Sequence, residues 1–261
     1  IIQNGFGVSK ETEITTSKDF FNLSADNNVI VFVLDSYDGD DFRHLINEDY
    51  DKLSKIFENF TFYPDSLGAY PTTRCAMPHI LTGRWYQNER PYADYVEEAY
   101  VDNEVYEAFE NNEWEIDMYT SSLYLTSANT VYNNIEKGSY SIADGILFAS
   151  KVYKLIAFNY MPHQLKQFFF VYTGEFLDLR KSNIEYPAYS SNTIKFIKSF
   201  EENGLSASRS GNVFKFYHLD GIHQPYTFDE RLDEDDGNYT AYDVAAGNNE
   251  LLRRYFEALK E

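Results

Sequence analysis

Six apolar residues in a row, Val29–Leu34, separate Asn28 from the carboxylate of Asp35 in the run NVIVFVLD. So short a β-branched run, with no polar face, suits a strand buried on both sides, as in a parallel sheet coated by helices. Asn212–Leu219 (NVFKFYHL) is a second apolar strand candidate, ending among polar residues. Helical periodicity marks Leu45–Phe57, Asn103–Asn111, Asp144–Phe158, Met161–Val171, Tyr189–Asn203 and Tyr239–Glu261, with a short helix from Met77 to Thr82 halted at Gly83. Phe60–Tyr63 and Glu115–Thr120 are further strand candidates, and Ser66–Arg74 is a loop punctuated by Gly68 and Pro71. Strands alternating with helices predict an α/β architecture.

The chain has 261 residues with 22 Lys and Arg against 42 Asp and Glu, a net charge of −20. That excess argues against nucleic acid as a partner, because such surfaces need basic patches. It argues equally against docking on anionic lipid through a polybasic face. With 23 Tyr and 21 Phe the chain is too aromatic to be disordered. A single cysteine, Cys75, excludes an internal disulfide framework and a Cys-rich zinc module. No apolar run approaches the roughly 18 residues of a membrane span. Residues 1–26 are polar and aperiodic and are expected to form a linker or lead-in to one domain over 27–261.

Ligands of open α/β sheets bind beyond the carboxyl ends of the strands. Two places qualify: Asp35 with Ser36, and the stretch His218–His223. Three segments then read together, namely VFVLDSYDGDDF from Val31, YPTTRCAMPHILTG from Tyr70 and FKFYHLDGIHQPY from Phe214. Their order and separation resemble the alkaline phosphatase superfamily, in its sulfatase-like branch with arylsulfatases, lipoteichoic acid synthases and phosphoethanolamine transferases. The resemblance implies a three-layer α/β/α sandwich with a mostly parallel central sheet. It implies Thr73 as nucleophile, since Thr73 lies both upstream of Leu81-Thr82-Gly83 at the sulfatase spacing and five residues before Pro78. Thr72 is its near neighbour. Asp35 and Thr73 would hold a divalent metal (Mn, Zn, Mg or Ca), and His223, with His218 as the weaker candidate, would act at a substrate oxygen.

The sulfatase signature itself is broken, with Thr73, Cys75 and Met77 where that family carries a Cys or Ser, a Pro and an Arg. Phosphoryl-group chemistry is therefore favoured over sulfate ester cleavage. The Asp-His pair that completes the family's metal site is absent from this sequence. Its expected place is beyond Glu261, so the fold is expected to be incomplete at its C-terminal end and the chain alone inactive. The function implied is a metal-dependent phosphotransferase or phosphodiesterase acting on a cell-surface lipid or glycopolymer phosphate ester. The location implied is extracytoplasmic, in the bacterial cell envelope, with membrane attachment only through a segment outside this chain. The alternatives are a sulfatase and a catalytically inactive sulfatase-like binding domain.

Plainer roles stand beside these. Asp35 is also a turn residue, and Thr72 and Thr73 are also helix caps. His44, His79 and His163 read as structural, and Cys75 as a small buried residue. The acidic run Asp229–Asp236 lacks EF-hand spacing and reads as a solvated loop. Phe168–Tyr172 reads as core, or as a contact with a missing segment.

Overall fold

The computed structural model describes residues 11–101, 103–126, 130–171, 174–177, 179–234 and 238–260. Residues 1–10 of the expected lead-in, Asp235 and Asp236 of the acidic run, Tyr172 and Glu261 lie outside them. In chain order the elements are β1 (Thr12–Thr15), β2 (Asn22–Ser24), β3 (Asn27–Leu34), α1 (Gly39–Glu48), α2 (Tyr50–Ile56), α3 (Thr73–Thr82), α4 (Tyr92–Ala99), α5 (Glu104–Asn111) and β4 (Trp114–Tyr119). There follow β5 (Ile135–Gly138), β6 (Tyr140–Ile142), α6 (Gly145–Tyr160), α7 (His163–Lys166), α8 (Gly174–Leu177) and β7 (Arg180–Ser182). The last are α9 (Thr193–Asn203), β8 (Ser206–Arg209), β9 (Asn212–Leu219) and α10 (Ala241–Ala258).

Contacts divide the chain into a smaller unit, Ile1–Ile14 with Glu136–Ala188, and a larger one, Thr15–Ile135 with Tyr189–Glu261. The larger unit is built on a parallel sheet in the order β3-β9-β4. Period-two alternation sends its side chains to two different cores. Phe32, Leu34, Tyr119, Tyr217 and Leu219 pack with Ile197 and Phe200 of α9 and Leu251 and Tyr255 of α10. Val31, Val33, Ile116, Met118 and Phe216 pack with Met77 of α3, Val96 of α4 and Tyr106 of α5. The architecture is thus mixed α/β with a parallel central sheet.

One cross-strand pair breaks the apolar pattern. Asp117 and Lys215 are register partners on β4 and β9, both fully buried, with Nζ 2.7 Å from Oδ2. Arg209 also reaches Asp117. Burial pushes the Lys215 ammonium below its ordinary value, against the pull of the Asp117 charge. Buried charges persist only when paired in this way.

Local chemistry explains where the elements depart from periodicity. The single helix expected over Leu45–Phe57 is two, because Asp49 ends α1 and its carboxylate accepts from the Lys52 amide to start α2. Phe60–Tyr63 is not a strand; the Phe60 ring stacks on Phe256 instead. Asn192 delays α9 to Thr193 by capping it, and a Thr240–Asp243 capping box sets the start of α10. The expected helix Met161–Val171 shortens to α7 and a 3₁₀ turn, beginning after Pro162. The lead-in is also corrected: residues 12–15 and 22–24 are strands, β1 pairing with β5 and β2 running parallel to β8. Two such short strands carry too few residues to show alternation. In the smaller unit β6 and β7 pair antiparallel beside α6, α7 and α8.

Candidate active site

Strand register brings the site together. Val33 pairs with His218 and Leu34 with Leu219, while Tyr119 pairs with Tyr217. The carboxyl ends of all three strands therefore open side by side, with Asp35, Thr120 and His218 at the rim. His218 follows Phe214 and Phe216 in the alternation and so emerges on the face that carries α3.

The amino end of α3 meets it there. Thr73, the first residue of the helix, donates its hydroxyl to Asp35 Oδ2 at 2.8 Å. The preceding Thr72 makes no side-chain cap bond, so neither threonine is spent on capping. His218 Nε2 lies 3.7 Å from the same Asp35 oxygen, too far for a hydrogen bond but within reach of charge. That nitrogen is buried and has no hydrogen-bond partner among the described residues, whereas Nδ1 stands 3.1 Å from Thr120 Oγ1. Burial raises the Asp35 carboxyl, but the His218 ring, the Thr73 hydroxyl and the charges of His218 and His223 outweigh it, and its pKa falls below 3.8. Asp35 is therefore an anion near neutrality.

The loop after β9 is fitted around the backbone of Asp35. Asp35 N–H donates to Leu219 C=O at 2.9 Å, and Ile222 N–H donates to Asp35 C=O at 2.8 Å. Between them Gly221 has φ +59°, and a Cβ there would stand 2.2 Å from the Asp35 carbonyl oxygen. Only glycine permits so close a backbone approach. Asn248 of α10 donates to the Gly221 carbonyl at 2.9 Å and fixes the loop from behind. His223 ends this turn with Nδ1 2.8 Å from the Gln224 carbonyl, ahead of a cis Gln224–Pro225 peptide. It is exposed and reaches Asp35 only through its charge.

Sequence reading missed three contributors. Thr120 directly follows β4, so the strand-end rule applied to that strand would have found it. Tyr124, in the 3₁₀ turn Ser122–Tyr124, has its phenol pushed up by burial and by the Asp35 charge. Arg74 is held through α3 itself: Pro78 lacks the N–H that would bond the Arg74 carbonyl. The Tyr92 hydroxyl supplies that bond at 2.7 Å, and the Arg74 guanidinium lies 3.9 Å over the Tyr92 ring. The other candidates sit elsewhere: His44 pairs with Glu48 at 3.2 Å, His79 packs on Trp85, and His163 is exposed on α7.

Among the described residues, no group of three or more His, Cys, Asp or Glu side chains is arranged to hold a metal ion. Compared with known proteins, the chain matches no family model, no curated protein and no solved structure.

Proposed function

We propose that Asp35, Thr73, His218 and His223 form the centre of a phosphotransferase or phosphodiesterase of alkaline phosphatase type, set in a three-layer α/β/α sandwich. The observation that carries this reading is the hydrogen bond from Thr73 to Asp35 at the head of α3. A hydroxyl at a helix N-terminus faces free backbone N–H groups and the positive end of the dipole, where an anionic phosphoryl group is favoured. Thr73 Oγ attacks phosphorus, forming the P–O bond of a phosphothreonine while the bond to the departing oxygen breaks. Asp35 takes the hydroxyl proton, and His223 delivers one to the departing oxygen. Arg74, without a carboxylate partner among the described residues and set next to the nucleophile, holds a non-bridging oxygen. Water or an acceptor hydroxyl then displaces Thr73.

The donor set suits one divalent cation, Mn, Zn, Mg or Ca. Asp35 Oδ2 and Thr73 Oγ1 lie 2.8 Å apart, and the unpartnered His218 Nε2 faces them. Asp35, Thr73 and His218 would hold it, equal in number to the protein ligands of an open catalytic zinc site. A cation there would supply Lewis-acid polarisation of the phosphoryl group. The substrate class, a phosphate ester of a cell-surface lipid or glycopolymer, and the extracytoplasmic location come from the resemblance.

A second reading, a catalytically inactive binding domain, is favoured by the lack of a further His, Asp or Glu beside this set among the described residues. The test uses bis(p-nitrophenyl) phosphate with Mn²⁺ and the protein encoded in full. Release of p-nitrophenolate that disappears in Thr73→Ala, together with a covalent adduct on the Thr73 peptide by mass spectrometry, supports the enzyme. Turnover unchanged in Thr73→Ala overturns it. Saturable binding of the ester with neither adduct nor release selects the binding domain.

A further inference from the structure

Within the smaller unit, α6 is a 16-residue helix with Ala157 as its one buried residue. One side of it is engaged. Phe148 lies against Phe176, with ring centroids 5.9 Å apart, Phe158 against Phe170 at 5.8 Å, and Lys151 pairs with Glu175. The opposite side carries Ile146, Ala149, Tyr153, Ile156 and Tyr160, at steps of three and four that make one continuous stripe. Ile146, Tyr153, Ile156 and Tyr160 are 86, 63, 52 and 86% exposed. An apolar stripe of this extent facing water marks an interaction surface.

Charge identifies what it faces. From Gly145 to Val171 the sequence holds Lys151, Lys154 and Lys166 and no Asp or Glu, although 42 of the 261 residues are acidic. The smaller unit as a whole carries seven Lys and Arg against seven Asp and Glu, which leaves the entire net charge of −20 on the larger unit. The average acidity of the chain thus hides a locally cationic, apolar and aromatic segment.

We propose that the outer stripe of α6 is a membrane-interface surface that seats on an anionic lipid bilayer. Apolar side chains enter the headgroup boundary and Tyr153 and Tyr160 place their hydroxyls at headgroup level, while Lys154, exposed on the side of the helix that carries Lys151 and Phe158, reaches lipid phosphates with its long stem. The helix lies on the bilayer and does not cross it: no helix among the described residues is long and apolar enough to span. A second copy of the chain fits this face less well, because symmetric packing would bring the same cations together. The inference stands apart from the phosphoryl-transfer reading.

The test is co-sedimentation of the purified chain with vesicles of phosphatidylglycerol and phosphatidylcholine in equal parts, and with vesicles of phosphatidylcholine alone. The expected result is about tenfold more protein on the anionic vesicles, reduced at high salt and by Lys154→Glu. The double substitution Tyr153→Asp with Ile156→Asp, both at exposed positions, is expected to abolish it with an unchanged circular dichroism spectrum. Equal binding to both vesicles, or binding that survives the double substitution, overturns the proposal. So does absence from anionic vesicles: a dimer that the double substitution dissociates then assigns the stripe to a second copy, and a monomer assigns it to the chain's own segments.

Discussion

The Thr73 hydroxyl and the Asp35 carboxylate are 38 residues apart in sequence and 2.8 Å apart in space, the hydroxyl donating to Oδ2. The bond ties the head of a helix to the end of a central strand, and it accounts in part for the depressed pKa of Asp35. Thr73→Val keeps the volume and removes the donor, so the Asp35 pKa is expected to rise, read by NMR titration of the carboxyl. The folded pKa lies below the unfolded 3.8, so Asp35 contributes stability above that value and loses it as pH falls through the folded pKa. Thr73→Val should therefore cost about 1 kcal/mol near neutrality and less in acid, measured by urea unfolding. An Asp35 titration that does not move would show that Thr73 does not stabilise the anion.

The tautomer of His218 is coupled to the Thr120 hydroxyl that contacts Nδ1. With the Thr120 hydroxyl at Nδ1, an accepting oxygen leaves Nε2 bare and a donating one protonates it toward Asp35. Thr120→Val is expected to change the His218 tautomer ratio in nitrogen-15 NMR, while Thr120→Ser preserves it. A ratio identical in all three proteins would remove Thr120 from the site.

Gly221 is the point where the His-bearing loop touches the Asp35 backbone. Gly221→Ala meets both a left-handed φ and a Cβ clash with backbone, and is expected to destabilise by about 2 kcal/mol or more. Gly211, also at positive φ but with open space around its Cβ, is the control, and Gly211→Ala should cost about 1 kcal/mol. Equal losses at the two positions would mean that the approach to Asp35 is not what excludes a side chain at Gly221.

Asp117→Ala leaves Lys215 buried without its carboxylate, and the expected loss is about 3–5 kcal/mol in denaturant unfolding. Replacing both with apolar residues, Asp117→Leu with Lys215→Met, should recover most of it. A double variant as unstable as the single one would show that the pair also organises Arg209 and Asp19, whose backbone carbonyl accepts from Lys215 Nζ.

Arg74 owes its position to Tyr92. Tyr92→Phe keeps the ring beneath the guanidinium but frees the Arg74 carbonyl, while Tyr92→Leu removes the ring as well. Binding of a phosphate monoester, measured by calorimetry, is expected to weaken about twofold in Tyr92→Phe and about fivefold in Arg74→Ala, the latter the upper end for one exposed ion contact. No change in Arg74→Ala would exclude the guanidinium from anion recognition.

Sequence alone determined the strands that are continuous apolar runs, although only β9 is largely buried; β3, at the edge of the sheet, is exposed over Asn27–Val29 and half-buried beyond, not buried on both sides as its run predicts. Asn212–Leu219 is a strand with the boundaries its apolar run predicts, and the run ending at Asp35 is its parallel neighbour. The strand-end carboxylate of Asp35 is legible as a local feature, but the residues place Thr73 in a loop and start the helix at Met77, four residues later than the observed α3 (Thr73–Thr82); only the family resemblance singles Thr73 out. Tertiary structure decided what depends on register and on distant partners. Thr120 joins the site only because β4 lies beside β9, and Arg74 is fixed only because a proline five residues after the head of α3 leaves a carbonyl for Tyr92 to fill. The strands at 12–15 and 22–24 exist only through β5 and β8, since segments of four and three residues have no pattern of their own. Exposure of the α6 stripe was equally invisible, because an apolar helix reads the same in sequence whether its outer face meets protein or water.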